Sequence, residues 1–531
     1  MAIGPDEDIP NKNHRASDVI SPEPLIEHTQ NDDDHEGDFV TTNETHDLAR
    51  DLHQRHIGLI ALAGAIGTGL FLGLGGSIQT GGPLGALLGY ATVGVIVCAV
   101  QFALGEVTAL LPVTGSFVRH AEFLVDPALG FAIGYNIVYG NWLSIPAEIS
   151  AICVLFQYWT DVNSSIWIVL AIFFTFAVGI SSIGIYGEIE FWFAMLKIFL
   201  IIFLIILGLV IDLGGIPGVP RTGFRFWKTP GPFVEYIATG SWGKFLGYWA
   251  VMNKSTIPRA CKRVFFRVSV FYVLAVLIVG MLVASNDERL SDQSGTAAQS
   301  PFVIAASAAG IKAIPSVVNA VVISSAWSSL NQALLSGTRV LYGLALKKQA
   351  PKIFLRTTSW GVPYVCVLLQ TAFMFLAFMS LLNGALTVFY WFLNLTACGV
   401  LISWITILVN HRRLILAMKK QGIPLSHLSW RNSWTVYSTP IALVFCVVIL
   451  LSNGFSVFTR GRGSTSTFVS AYLDILLVIA AFLIWKLVKR TRIVSLHEID
   501  LQGAFEDIRL HPEDLEPEST GWRRFFTFLW D

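Results

Sequence analysis

Apolar runs long enough to cross a bilayer recur along this chain. They fall near 57–78, 86–110, 129–156, 166–183, 191–212, 268–284, 316–344, 363–382, 387–409, 436–452 and 469–488. A helix rises about 1.5 Å per residue and the hydrocarbon core is roughly 30 Å thick, so a run of about 20 residues spans it. Turn residues separate the runs at Gly81-Gly82-Pro83, Asn383-Gly384 and Gly461-Arg462-Gly463. Trp159, Trp227, Trp360 and Trp434 sit near run ends, as interfacial anchors do. The pattern predicts an all-α polytopic membrane protein with eleven full spans. One stretch breaks it. Residues 240–252 are largely uncharged, but the polar Asn253-Lys254-Ser255-Thr256-Ile257-Pro258-Arg259 follows at once. Thirteen residues reach only about two-thirds of the way across, which makes this a half-span stub.

Composition agrees with the pattern. Of 531 residues, 54% are hydrophobic and 14% charged, and the mean hydropathy is +0.62, too little charge to cover a soluble chain of this length. The six cysteines form no CxxC pair, and buried structural thiols are expected. The polar first 50 residues show no cleavable signal peptide, so insertion is expected to begin with the first span. Net charge is zero but uneven: residues 1–52 carry 14 Asp and Glu against 3 Lys and Arg, which predicts a disordered acidic tail. Residues 53–488 form the transmembrane region and 489–531 a second polar tail. Its end, Trp522-Arg523-Arg524-Phe525-Phe526-Thr527-Phe528-Leu529-Trp530, suits either a membrane interface or the protein's own inner face. Flanking Lys and Arg divide 21 inside to 8 outside for twelve crossings with the amino terminus inside. They divide 22 to 7 for eleven crossings with it outside, so basic residues alone leave both orientations open.

Several residues within the spans carry candidate chemistry. The first span contains Gly64-Ala65-Ile66-Gly67-Thr68-Gly69-Leu70-Phe71. Three glycines in six residues weaken a helix by about 1 kcal/mol each relative to alanine. An unwound segment at Gly67-Thr68-Gly69 would aim backbone N–H groups at a carboxylate, whereas an intact helix would use the glycines for close packing. Ionisable residues inside spans are costly and often functional. Glu148, after Pro146, either faces a polar cavity or pairs with a neighbouring helix. Lys197 has a stem long enough to snorkel to the interface. Glu106, near one end of span 2, suits an ion pair or a proton-coupling role. Ser324, Ser325, Ser328 and Ser329 either complete a cation-like site or pack helices. His53 and His56 have metal-ligand spacing but no further ligands. Asn163-Ser164-Ser165 is a glycosylation sequon in a short loop. With no phosphate loop, nucleophile motif or metal cluster, neither an enzyme nor a cofactor is expected, and no nucleic-acid partner.

Longer motifs carry a resemblance. Leu52-His53-Gln54-Arg55-His56-Ile57 leads into the glycine segment. Gly105-Glu106-Val107-Thr108-Ala109-Leu110-Leu111-Pro112-Val113-Thr114-Gly115-Ser116-Phe117 and Asn141-Trp142-Leu143-Ser144-Ile145-Pro146-Ala147-Glu148 follow. Then come Tyr186-Gly187-Glu188-Ile189-Glu190-Phe191-Trp192-Phe193-Ala194, Gly223-Phe224-Arg225-Phe226-Trp227-Lys228-Thr229-Pro230-Gly231-Pro232, Ala345-Leu346-Lys347-Lys348-Gln349-Ala350-Pro351-Lys352 and Trp360-Gly361-Val362-Pro363. In this order, over residues 48–490, they resemble fungal-type amino-acid permeases (the yeast amino-acid transporter group of the amino-acid–polyamine–organocation superfamily). The resemblance implies a five-plus-five inverted repeat followed by two extra helices. It also implies both termini cytoplasmic and proton-coupled amino-acid uptake across the plasma membrane. Spans 1 and 6, both broken at the midplane, would hold the substrate. It places the substrate carboxylate at Ile66, Gly67, Thr68 and Gly69, and Lys197 where a coupling cation would lie between spans 1 and 8. Their places within spans add Glu148 as a substrate-binding residue or alternative proton carrier and Glu106 as a further proton-coupling candidate.

The chain departs from that family at span 6. A stretch like Gly243-Lys244-Phe245-Leu246-Gly247-Tyr248-Trp249-Ala250-Val251-Met252 should lead into an unwound segment and a second half-helix, but Met252 runs directly into Asn253-Lys254. Half of the expected pocket is missing. Amino-acid transport is therefore expected beside two alternatives, a transport-inactive truncated product or misassembled coding sequence, and a sensor that binds without transporting.

Overall fold

The computed structural model describes residues 68–113, 115–254, 264–290, 300–428, 430–458 and 465–510. The described residues are helical, with no strand among them. Helix α1, Thr68–Leu110, merges the end of the first apolar run with the whole of the second and bends at Gly82, whose φ is +76°. That bend is the predicted Gly81-Gly82-Pro83 turn, and it needs glycine twice over. Positive φ strains a side chain, and an added Cβ would lie 2.7 Å from the Pro232 carbonyl. The loop at 232–234 docks there, with Leu84 N–H donating to Pro232 O at 2.9 Å and Val234 N–H to Gly81 O at 3.3 Å.

After a short α2, Phe117–Leu124, comes α3, Pro127–Phe156, the most buried of the long apolar helices. Asp126 caps it by accepting from Ala128 N–H at 2.9 Å, and Pro127 sits in the first turn, where its missing N–H costs nothing. Helix α4, Ser164–Ile180, is capped by Asn163, which accepts from Ser165 N–H at 2.9 Å. The sequon asparagine thus serves as a helix cap. Helix α5 is Ile183–Asp212, beginning eight residues before the apolar run that predicts it. A short α6, Arg225–Lys228, precedes α7, Gly240–Lys254.

Helix α7 is the stub. Its 15 residues measure about 22 Å, short of the roughly 30 Å hydrocarbon core. It nevertheless packs closely on α1 through Gly81 and Gly89. A Cβ on either would lie 2.8 Å from Val251, so small residues here let the two helices approach. Thr92 and Tyr248 hydroxyls meet at 3.0 Å, and Val251 and Met252 are fully buried.

Helices α8 (Val264–Leu282), α9 (Pro301–Ala308) and α10 (Ile314–Leu346) follow. Next come α11 (Tyr364–Met374), α12 (Ser380–Asn383) and α13 (Ala385–Lys420), with Gly384 at φ +79° forming the expected turn. Last are α14 (Thr435–Ser452), α15 (Thr465–Lys489) and α16 (Leu501–Leu510). Seven described helices are long and apolar enough to cross a bilayer: α1, α3, α5, the α11–α12 rod, α13, α14 and α15. Helix α10 has the length, at 33 residues, but its serines, asparagines and Gln332 lower its hydropathy. It packs against α3 and α5 instead of presenting an apolar surface all round. The expected all-α membrane architecture is what the chain adopts. The start of the second polar tail is tied to the bundle end. Val494 N–H donates to Val125 O at 2.9 Å, and Gln421 Nε2 donates to the Leu496 and Ile499 carbonyls, each at 2.9 Å.

Candidate functional site

The buried face of α5 repeats at helical spacing through Tyr186, Glu190, Ala194, Lys197, Ile201 and Leu204, while Trp192, Leu196 and Phe199 point outward. Glu190 and Lys197, seven residues apart, therefore lie two turns apart on one inner stripe. The matching stripe of α10 carries Ser325, Ser328, Asn331 and Gln332. Where the stripes meet, the Lys197 ammonium donates to Ser328 Oγ at 3.0 Å and Ser328 Oγ donates to Glu190 Oε2 at 2.5 Å. Gln332 Nε2 donates to Glu190 Oε2 at 3.1 Å and Asn331 Nδ2 to Oε1 at 3.3 Å. Lys197, Ser328 and Glu190 are each 0% exposed.

Burying an ammonium and a carboxylate is tolerable only when their charges and hydrogen-bonding groups are met. Here one hydroxyl bridges them, and two amides complete the shell of the carboxylate. The half-buried Glu148, from α3, also acts electrostatically on Lys197. Amine, hydroxyl and carboxylate in single file have the geometry of a proton relay. Beside this file lies a small, partly open pocket lined by Tyr186, Asn331, Thr338, Arg339, Pro363 and Val367 among others. Asn331 both lines this pocket and donates to Glu190, so one amide lies between the pocket and the carboxylate.

The structure thus brings together Lys197, Glu148 and Ser328. Ser324 is not in the file, since its hydroxyl donates to Val321 O at 2.7 Å. Glu106 belongs to a separate buried group. Its Oε2 lies 2.7 Å from His411 Nε2 on α13, its Oε1 accepts from Asn432 N–H at 2.8 Å, and His411 Nδ1 lies 3.1 Å from Thr439 Oγ1 on α14. Glu106 and His411 are both at most 1% exposed, an ion-pair geometry that joins α1, α13 and α14. Thr68 and Gly69 contribute helical backbone to α1, and Ile66, Gly67, His53 and His56 lie outside the described residues.

Glu190, Asn331, Gln332 and His411 were not singled out from sequence. The signal for Glu190 was present in its seven-residue spacing from Lys197.

Residues 56–256 and 253–498 match the family described as amino acid permease, in two pieces that meet at 253–256. The chain is 36% identical over 484 residues to the dicarboxylic amino acid permease of Saccharomyces cerevisiae, covering 86% of this chain and 79% of that protein. It is 37% identical over 505 residues to the proline-specific permease of Emericella nidulans, covering 89% and 92%. It is 34% identical over 524 residues to the lysine-specific permease of Saccharomyces cerevisiae, covering 93% and 84%. The 505 positions of the second match occupy 89% of these 531 residues, about 473, so about 30 positions of that relative face no residue here. Among solved structures, a manganese transporter of Eremococcus coleocola superposes with TM-score 0.51 at 13% identity, covering 82% of this chain and 94% of its own, a likeness of fold.

Proposed function

Because the chain belongs to the amino acid permease family and is thereby an amino-acid transmembrane transporter, we propose that it works by proton-coupled uptake with Lys197 as the proton carrier. The observation that carries this reading is the buried file from the Lys197 ammonium through Ser328 Oγ to Glu190 Oε2. A lysine desolvated in this way, with a hydroxyl in contact and a carboxylate beyond it, is chemically suited to load and release a proton. The three relatives named above differ in the substrates their names give, and the chemistry those substrates share is the α-carboxylate. Backbone N–H groups at Ile66, Gly67, Thr68 and Gly69 are assigned to that carboxylate, with Glu148 on the substrate side of Lys197. Glu106, bound to His411, is assigned to holding α1 against α13 and α14 as the protein alternates access. The protein is assigned to the plasma membrane with both termini cytoplasmic, the orientation in which the cavity below Glu190 opens inward.

The test is uptake of labelled amino acids into permease-deficient cells across external pH. Lys197→Ala is expected to abolish the pH dependence, and a pH profile equal to the parent's excludes Lys197 as carrier.

A second reading is supported by the two-piece family match at 253–256 and by the 15-residue length of α7. It holds that this polypeptide, lacking the second half of span 6, does not transport. Uptake at background by this chain, restored when the corresponding segment of a full-length relative is inserted after Met252, is its expected result. Uptake above background that Gly67→Leu abolishes overturns it.

A further inference from the structure

Far along the chain a carboxylate lies buried with nothing to answer it. Asp474, in the third turn of α15 and within its apolar span, is 2% exposed, and neither of its oxygens meets a hydrogen-bond donor among the described residues. Asn136 of α3 faces it and is 5% exposed. Asn136 Nδ2 donates to the Gly399 carbonyl of α13 at 3.0 Å, which fixes the amide's orientation and leaves Oδ1 also without a donor. These oxygens converge. A Cβ placed on Gly399 would lie 2.9 Å from Asp474 Oδ2 and 3.0 Å from Asn136 Oδ1, so the two acceptors flank one small space that only a glycine leaves open.

Neighbouring donors are committed elsewhere. Cys398 of α13 donates its thiol to Ala471 O at 3.0 Å and accepts from Asn453 Nδ2 at 3.3 Å. Tyr472 donates to Leu451 O at 3.0 Å. The titratable groups that act on Asp474 through space are Tyr139 from α3 and Cys398 from α13. No Lys, Arg or His among the described residues forms an ion pair with it. Lys486, twelve residues on along α15, is bound to Asp126, and Lys489 lies 5.6 Å over the Trp485 ring.

A carboxylate without a donor, near a second acceptor without one, inside a bilayer is among the costliest arrangements a membrane protein can hold. Three oxygens are too few for a hard metal cation, which takes six or so. One hydrogen satisfies the geometry. We infer that the α3–α13–α15 junction is a proton site, in which Asp474 holds a proton and donates it to Asn136 Oδ1. The amide then forms a continuous bridge, Asp474 O–H to Asn136 Oδ1 and Asn136 Nδ2–H to Gly399 O, that clamps three helices together. This site stands apart from the Lys197 file and does not rest on the transport reading.

The test is infrared spectroscopy on the purified full-length chain, with thermal unfolding alongside. A carbonyl band of an un-ionised carboxylic acid is expected at neutral pH and is expected to vanish in Asp474→Asn. That variant keeps a donor toward Asn136 and should melt where the parent melts, whereas Asp474→Ala should melt lower. In Asn136→Leu, which removes the acceptor, the band should persist and move to higher wavenumber. If Asp474→Asn does not accumulate, that band shift decides the question by itself. Absence of any band sensitive to either substitution overturns the proposal. So does a melting temperature that rises with sodium in the parent and not in Asp474→Asn, which would mark a metal cation in place of the proton.

Discussion

Glu190 and Lys197 provide a thermodynamic cycle whose size can be worked from the structure. Two hydrogen bonds of 3.0 and 2.5 Å through Ser328 place the ammonium and carboxylate at most 5.5 Å apart. At an effective dielectric of about 20, unit charges at that separation attract by about 3 kcal/mol. Glu190→Gln keeps the shape and most of the hydrogen bonding but leaves a buried ammonium without its counter-charge. Lys197→Met keeps the length and leaves a buried carboxylate that still accepts from Ser328, Gln332 and Asn331. Each single change is expected to destabilise by about 3–5 kcal/mol, the range for breaking a buried pair, with Glu190→Gln the larger. The double variant removes both charges. It should lose about 3 kcal/mol less than the two singles added together. Thermal or denaturant unfolding of the purified chain and its three variants gives the coupling directly. Additivity within about 0.5 kcal/mol would mean the two groups do not sense each other, and the relay assignment would fall with it.

Three further outcomes follow from other sites. His411→Ala leaves Glu106 buried with its Asn432 N–H bond but without the imidazole partner, and should destabilise by about 1–3 kcal/mol in an unfolding assay, whereas His411→Gln, which keeps a donor, should lose less. Asn163→Ala removes the α4 cap and should lower stability by about 0.5–2 kcal/mol, with no change in mobility on a gel, because the side chain serves the helix. The Arg289 guanidinium beside Asp287 holds its carboxyl below the usual carboxylate range, so the pair's contribution is present above that range and is lost as pH falls through the lowered value. For so exposed a pair the contribution is under about 1 kcal/mol, and Arg289→Ala should shift the acid limb of a stability profile slightly upward.

Hydropathy found the helices, but two of its runs stop just short of a polar residue that the site uses. The apolar run at 191–212 excludes Glu190, yet α5 begins at Ile183, because inner-face charges satisfied by another helix do not end a helix. The run at 387–409 likewise stops before His411, while α13 continues to Lys420. Lys197 stands out in sequence because nothing near it is charged, but its partner Glu190 reads as an interfacial residue until α10 is laid beside α5. Of the four serines flagged on α10, helical spacing alone cannot choose. Contact with Lys197 picks Ser328. Asp474 sits within a run dominated by outward-facing Leu476, Leu477 and Ile479, so its inward direction is invisible until α3 and α13 are placed.

The half-span and the relay are physically separable. Helix α7 is held by contacts made before the chain's departure from the family: Val251 against Gly81 and Gly89, Tyr248 against Thr92, and Trp249 Nε1 donating to Ser452 Oγ at 2.9 Å. Nothing in that seat requires the segment absent after Met252. The relay draws on α3, α5 and α10, none of which meets α7 through those bonds. Absence of a second half-helix would therefore act on the proposed substrate pocket and leave both the packing of α1 and the Lys197–Ser328–Glu190 file in place. It follows that the coupling measured between Glu190 and Lys197 should be the same, within about 0.5 kcal/mol, in this chain and in one with the segment restored, whichever of the two accumulates amino acid. A coupling that appears only on restoration would mean that span 6 organises the relay as well as the pocket, and the two could no longer be treated as independent.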